Sequence, residues 1–206
     1  MPRRSILLLA GACLLIAIGV AIFTAMALSR SSGARSGEVV SLGTADIGGP
    51  FELVNQDGQA VDESILNGKW SLVFFGFTYC PDYCPTTLNG LAATQTLLGD
   101  EAKDLQILFV SIDPERDTPA AMKTYLSLDG YPKGVIGLTG APAQVKTAAD
   151  AYRVVYQKVG TGEDYTMNHS TLVYLMGPDG KFRVPLQHDL GPERTADIIR
   201  RTIARG

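Results

Sequence analysis

Residues 70–98 read WSLVFFGFTYCPDYCPTTLNGLAATQTLL, which predicts an apolar strand, a loop with two cysteines and then a helix. The first six residues are almost wholly apolar, as is typical of a strand covered on both faces of a sheet. Leucines follow in a rough helical pattern over residues 86–98. Cys80 and Cys84 therefore fall between a central strand and a helix, a place that favours reactive sites.

Two cysteines four residues apart at the start of a helix predict either redox chemistry or metal binding. Positions four apart share a helix face, so we expect both sulfurs to point the same way. Their Cα atoms would lie inside the disulfide range, so the pair can oxidise. The thiolate is also the form that binds metals, and a helix N-terminus lowers a cysteine pKa. Either function is favoured over a structural disulfide or two idle buried thiols.

The rest of the chain predicts strands that alternate with helices, followed by a hairpin and a last helix. This order is typical of an α/β sheet with an antiparallel part. The further predicted strands cover residues 51–54, 105–112, 135–138 and 153–159, and the two strands of the hairpin cover residues 170–176 and 181–185. The further predicted helices cover residues 119–128, 142–152 and 192–205, with Asp117 or Thr118 as the cap of the first.

A membrane anchor is predicted over residues 1–29, followed by a linker over residues 30–45 and a domain over residues 46–206. Residues 6–28 carry no charged side chain, and a run of about 20 apolar helical residues crosses a bilayer. We favour an uncleaved anchor over a cleaved signal peptide or a lipid-modified Cys13. The cysteine pair favours a location of the domain outside the reducing cytosol.

The charge of the domain argues against a nucleic-acid partner. From residue 37 onward the chain has 14 basic and 21 acidic side chains, a net charge of −7. Nucleic-acid binding draws instead on clustered positive charge.

A single cysteine pair in a domain of this size is not a disulfide scaffold, so the pair indicates a reactive or metal-binding site.

The chain has two histidines, His169 and His188. An isolated histidine is more often an ordinary surface or half-buried residue. Two thiolates and one imidazole, however, are a ligand set that suits copper. Structural zinc usually takes four protein ligands, and a fourth is hard to find here. We predict that His188, which follows the hairpin, is an exposed loop residue. His169 is therefore the candidate third ligand.

Three blocks of sequence resemble the Sco/SenC family in order and spacing. The first block is FTYCPDYCP at residues 77–85, and the second is SIDPERDTP at residues 111–119. The third block combines His169-Ser170-Thr171, Tyr174-Leu175 and Pro178-Asp179-Gly180. A CxxxC pair alone would be weak evidence, but the resemblance extends from about residue 46 to the end of the sequence.

The resemblance implies a thioredoxin-like fold with an added hairpin, preceded by one transmembrane helix. It also implies a copper metallochaperone that helps to assemble the dinuclear copper centre of cytochrome c oxidase. Carried over from the family, the copper ligands are Cys80, Cys84 and His169. The implied partners are the copper-bearing oxidase subunit and another periplasmic copper carrier. The implied location is the bacterial inner membrane with the domain in the periplasm, ahead of the mitochondrial inner membrane.

A thiol–disulfide oxidoreductase is the alternative function, and it would reduce the cysteines of the oxidase copper site. This activity needs Cys80 and Cys84 but not His169. One protein can have both this activity and copper binding. Whether the protein is an enzyme therefore stays open. Peroxide reduction is disfavoured, because a second cysteine four residues on is not the usual resolving arrangement.

Three further residues of the blocks have open roles. Asp113 and Asp117 match the acidic loop of the family, where they either contact a partner or support the site. Turn formation and helix capping explain them equally well. Asn168 departs from the family, in which an aspartate usually precedes the histidine. Asparagine keeps the hydrogen bonding but removes a negative charge beside the metal, which leaves the redox preference of the copper open.

Overall fold

A seven-stranded mixed sheet organises residues 46–205, the part of the chain that the computed structural model describes. The predicted anchor and linker lie outside these residues. Within them, no helix is both long and apolar enough to cross a membrane. The strands are β1 (Glu52–Asn55), β2 (Ala60–Asp62), β3 (Trp70–Gly76), β4 (Leu105–Ser111), β5 (Ile136–Thr139), β6 (Tyr156–Val159), β7 (Thr166–His169), β8 (Leu172–Met176) and β9 (Phe182–Gln187).

The strand of the opening segment, β3, lies inside the sheet, whose order is β2-β1-β5-β4-β3-β8-β9. It pairs in parallel with β4 from Trp70 opposite Leu105 to Gly76 opposite Ser111, and antiparallel with β8. Every residue of β3 and β4 is buried. The prediction of a strand covered on both faces is therefore confirmed.

Four α-helices connect and cover the strands: α1 (Tyr83–Leu98), α2 (Pro119–Leu126), α3 (Pro142–Ala151) and α4 (Pro192–Ile203). Parallel neighbours need a crossover connection, and α1 and α2 supply it between β3, β4 and β5. The hydroxyl of Thr118 accepts the Ala121 N–H and caps α2, so of the two predicted caps Thr118 is the one used. Short 3-10 helices cover Glu63–Leu66 and Gly99–Asp104.

A separate two-stranded ribbon of β6 and β7 pairs Tyr156 with His169. The prediction of a strand over residues 153–159 is right only in its second half, because Arg153 has a left-handed φ of 56° just after α3. The partner strand β7 was not predicted. His169 was expected to precede a strand, but it is the last residue of β7, and the next strand begins only at Leu172.

Candidate metal and redox site

The two cysteines lie beyond the carboxyl end of β3, in and just after a loop that we call the cysteine loop (residues 77–82). Cys84 is the second residue of α1, whereas Cys80 precedes the helix. The prediction that both sulfurs share a helix face is wrong for Cys80, because Asp82 has non-helical dihedral angles and helical geometry begins at Tyr83. A tight turn, in which the Cys80 N–H donates to the Phe77 carbonyl at 3.2 Å, places Cys80 at the helix start instead.

The sulfur of Cys80 accepts a hydrogen bond from the start of α1. The Cys84 N–H donates to Cys80 Sγ at 3.4 Å, which satisfies one of the N–H groups that a helix leaves unpaired in its first turn. Cys80 and Cys84 do not form a disulfide in this structure. Cys84 is fully buried and Cys80 is 9% exposed, so a reactant reaches Cys80 more easily.

The two thiols have pKa values shifted in opposite directions. A hydrogen bond from the Cys84 thiol lowers the pKa of Cys80 to about 4. The same hydrogen bond, in which Cys84 keeps its proton, raises the pKa of Cys84, and burial raises it further. The expected lowering of the pKa is therefore found for Cys80, where the Cys84 thiol is its main cause and the helix start a minor one, and it is wrong for Cys84.

His169 presents one ring nitrogen to the buried thiol. Its Nδ1 lies 2.7 Å from the Ser170 carbonyl oxygen, and a carbonyl only accepts, so Nδ1 carries the proton. Nε2 then has a free lone pair, and it lies 3.9 Å from Cys84 Sγ. The ring also packs edge-on against Phe77. The structure thus brings Cys80, Cys84 and His169 together.

The distance between Cys84 and His169 is compatible with a metal ion that both residues bind. Zinc bonds sulfur at about 2.3 Å and nitrogen at about 2.1 Å, so two atoms on one ion of this size lie at most about 4.4 Å apart. The distance of 3.9 Å from Cys84 to His169 is within that limit. In residues 46–205, no three His, Cys, Asp or Glu side chains lie close enough together to hold a metal ion as they stand. Binding of an ion would require the three side chains to close further.

Gly76 allows the buried sulfur to approach the strand. A Cβ atom at this position would lie 2.8 Å from Cys84 Sγ and 2.8 Å from the Phe109 ring. A residue with a side chain would therefore push Cys84 away from β3. We did not identify Gly76 from the sequence, although a glycine between an apolar strand and a cysteine pair was the available signal.

Asp117 is a buried support of the cysteine loop. Its carboxylate is 0% exposed and accepts hydrogen bonds from Thr78 Oγ1 at 2.5 Å, Thr78 N at 3.2 Å and Ser111 Oγ at 2.6 Å. Burial raises the pKa of Asp117. Of the roles considered for this residue, support of the site agrees with the structure, whereas an exposed contact with a partner does not.

Asp113 is buried in the same way and links the acidic loop to the ribbon. Its carboxylate accepts hydrogen bonds from Arg116 Nε at 2.6 Å and from the Tyr165 hydroxyl at 2.5 Å. Of the roles considered for Asp113, support of the site agrees with this burial, whereas an exposed contact with a partner does not. Tyr165 directly precedes β7, the strand that ends at His169, so this hydrogen bond joins Asp113 to the segment that carries His169.

Two other residues are placed differently from the ligand candidates. His188 is half-buried, and its ring packs edge-on against Tyr83 with 5.1 Å between ring centroids. The predicted loop position is right, because β9 ends at Gln187, but the predicted exposure is wrong, because the start of α1 brings Tyr83 against the His188 ring. Asn168 is exposed on β7, where neighbouring side chains point to opposite faces, so we expect its amide to point away from His169.

Comparison with known proteins gives consistent matches. A family model described as SCO1/SenC matches residues 40–204. The mitochondrial SCO1 homolog 1 of Arabidopsis thaliana is 44% identical over 144 residues, which cover 69% of this chain and 42% of the plant protein. The SCO2-like protein of Rickettsia conorii is 37% identical over 191 residues, which cover 91% of this chain and 92% of that protein. This chain thus spans less than half of the plant relative and nearly all of the rickettsial one.

A solved structure shares the fold. The structure of Bradyrhizobium japonicum ScoI with copper bound has a TM-score of 0.70 and 44% sequence identity, and the match covers 76% of this chain and 99% of that chain. For the described residues, this match confirms the predicted thioredoxin-like α/β fold. The predicted hairpin corresponds to β8 and β9, which belong to the seven-stranded sheet.

Proposed function

The chain belongs to the SCO1/SenC family, and from this we propose that it binds copper and delivers it to cytochrome c oxidase during assembly of the dinuclear copper centre. One observation carries the proposal: the imidazole Nε2 of His169 lies 3.9 Å from the sulfur of Cys84, whose backbone N–H donates to the sulfur of Cys80. The Bradyrhizobium relative, whose structure holds copper, supports the choice of metal.

The donor set suits a metal that must be handed on. Thiolates are soft ligands that select Cu(I), and imidazole binds copper as well. Three protein donors are one fewer than a closed structural zinc site uses. In our proposal the remaining position gives a receiving ligand access to the copper, which is the cargo of the protein and not a resident cofactor.

Each proposed ligand is prepared in a different way. Cys80, whose pKa is lowered to about 4, is a thiolate at neutral pH and is the more accessible of the two sulfurs. Cys84 holds a proton that it must release when copper binds, because thiolates are the ligand form. The Ser170 carbonyl fixes the tautomer of His169 and so orients Nε2 toward the cysteines.

We also propose the arrangement predicted from the sequence: an anchor over residues 1–29, a linker over residues 30–45 and the copper-binding domain over residues 46–206. The uncharged run at residues 6–28 supports the anchor. The proposed partners are the copper-bearing oxidase subunit and a periplasmic copper carrier. We propose an inner membrane with the domain in the periplasm. The rickettsial relative supports a bacterial location, and a mitochondrial relative also matches.

Thiol–disulfide exchange is a second candidate function, favoured by the opposite pKa shifts of the two thiols. The Cys80 thiolate would attack a target disulfide, form a mixed disulfide and release one target thiolate. Cys84 would then lose its proton, attack Cys80 Sγ and release the second target thiolate. The target gains two electrons and the protein keeps a Cys80–Cys84 disulfide, which a dithiol reductant would return to two thiols.

Replacement of each histidine tests the proposal. In the full-length chain purified in detergent, we expect His169→Ala to lose copper to a competing chelator that does not strip the wild type. His188→Ala is the matched control, and we expect it to bind like the wild type. Reduction of a disulfide-bonded peptide should continue in both variants. Copper binding that is equal in the wild type and His169→Ala would contradict the three-ligand site.

A further inference from the structure

The guanidinium group of Arg116 lies between the two halves of the candidate site. Its central carbon lies 4.5 Å from the ring centroid of Tyr79, which directly precedes Cys80. The same carbon lies 3.6 Å from the ring centroid of Tyr165, which directly precedes the strand that ends at His169. One side chain therefore contacts both the cysteine loop and the approach to the histidine.

Hydrogen bonds hold this guanidinium in place. Arg116 Nε donates to Asp113 Oδ2 at 2.6 Å, and Nη1 donates to the Tyr165 carbonyl at 2.9 Å. The hydroxyl of Tyr165 donates to the other oxygen of Asp113, which closes a ring of contacts among the three residues. The Arg116 and Asp113 side chains are only 15% and 3% exposed. A planar guanidinium suits such combined stacking and directional bonding better than an ammonium group does.

A neighbouring cation contributes less to this junction. Lys158 Nζ lies 3.8 Å from the Tyr165 ring centroid and 2.7 Å from Glu115. Both members of that ion pair are largely exposed, and exposed pairs contribute little to stability. Arg116 is therefore the main charged link between the acidic loop and the ribbon.

The ribbon needs such a link because its two strands pair with each other and not with the seven-stranded sheet. We propose that Arg116 is a positioning residue that holds the β6–β7 ribbon, and with it His169, against the cysteine loop. The inference rests on the proposed copper site, because it assigns Arg116 an effect that acts through His169. Without the guanidinium, Tyr165 loses its stacking partner and His169 loses its fixed position beside Cys84.

A double-mutant cycle distinguishes this role from a general effect on the fold. Cu(I) affinity is measured with a competing chelator for the full-length wild type, Arg116→Lys, His169→Ala and the double variant, all in detergent. Residues that orient metal ligands typically change metal affinity by about 10–100-fold when they are replaced. We expect a loss in this range for Arg116→Lys in the wild-type background, and less than about a twofold loss in the His169→Ala background.

The cycle has outcomes that separate the two proposals. An equal loss in both backgrounds, or no loss in either, would overturn the role of Arg116 while leaving the copper site intact. Equal affinity of the wild type and His169→Ala would instead overturn the ligand set itself. Arg183→Lys is the matched control, because Arg183 also stacks on an aromatic ring, that of Trp70, and also bonds a carboxylate, but at the other end of β3. We expect this control to bind copper like the wild type.

A measurement without copper provides a second test. Nitrogen NMR of the imidazole rings reports the tautomer, and with two histidines in the chain the signals can be assigned from His188→Ala. We expect the Nδ1-protonated form of His169 in the wild type and a mixture of tautomers in Arg116→Lys. If Arg116→Lys fails to fold, Tyr165→Phe takes its place, because it keeps the ring but loses the bond to Asp113. We expect this variant to shift the His169 signal in the same direction. An unchanged His169 signal in a folded variant would overturn the inference.

Discussion

His169 Nε2 lies 3.9 Å from Cys84 Sγ, although 85 positions separate the two residues in the chain. The first turn of α1 supplies the sulfur and the end of the ribbon supplies the ring. The Ser170 carbonyl holds the proton on the opposite ring nitrogen, so the lone pair of Nε2 is directed at the thiol side of the site. This relationship is the reason that we propose a metal site at the cysteine pair and not a disulfide motif alone.

Cys80 should react with an alkylating agent at a rate that changes little between pH 6 and 8. Its pKa is lowered to about 4, so the reactive thiolate is already fully formed across this range. An ordinary thiol, with a pKa of about 8.5, loses thiolate about tenfold per pH unit below that value. Iodoacetamide labelling followed by peptide mass spectrometry measures the rate at each cysteine.

The urea-unfolded chain is the control for this labelling, and there both cysteines should show the ordinary pH dependence. In the folded protein, buried Cys84 should label far more slowly than Cys80. A Cys80 rate that falls tenfold per unit from pH 8 to pH 6 would contradict the assignment of Cys80 as the thiolate.

Gly76→Ala should destabilise the domain and displace the buried thiol. The new methyl group would lie 2.8 Å from both Cys84 Sγ and the Phe109 ring, and overpacking of this kind costs about 1–3 kcal/mol. Urea unfolding of the wild type and the variant measures the difference. Gly90→Ala is the matched control, since a Cβ there meets no atom within 4 Å and alanine favours the helix. Equal stability of Gly76→Ala and the wild type would show that the sulfur does not pack against β3.

Asp117→Asn should lower the free energy of unfolding by about 1–3 kcal/mol. The buried carboxylate accepts bonds from Thr78 and Ser111, and an amide would place its own N–H groups against those donors. Because burial raises the pKa of Asp117, the folded state keeps its proton at a higher pH than the unfolded state does. The contribution of this group to stability therefore falls as pH rises above the ordinary carboxyl value.

Urea unfolding at several pH values checks both parts of the Asp117 prediction. Asp100→Asn serves as the control, because the Asp100 side chain is 92% exposed in its ion pair with Lys103 and such pairs contribute little. A variant at Asp117 that matches the wild type in stability and in pH dependence would refute the role of this carboxylate in holding the cysteine loop.

Local patterns in the sequence predicted the elements that depend on nearby residues. A strand that is covered on both faces needs apolar residues throughout, so the apolar run beginning at Trp70 was enough to predict β3, every residue of which is buried. The four residues of β7 carry no comparable pattern, and this strand exists because it pairs with β6. Cys80 was placed on the helix by spacing alone, whereas the dihedral angles of Asp82 delay the start of the helix.

The tertiary contacts of the site were less accessible to prediction. Acidic side chains are mostly exposed in proteins, so nothing local indicated that Asp113 and Asp117 would be buried. The selection of His169 over His188 relied on the prediction that His188 is an exposed loop residue and on the resemblance to a family, and not on periodicity. The stacking of Arg116 between two tyrosines joins segments far apart in the chain, and its detection required the folded structure.

X-ray absorption at the copper edge of the full-length, copper-loaded chain tests the central claim most directly. We predict a first shell of two sulfur atoms and one imidazole nitrogen, with the imidazole signal lost in His169→Ala and kept in His188→Ala. A first shell without an imidazole, or one that is the same in the wild type and His169→Ala, would contradict the proposed site of Cys80, Cys84 and His169.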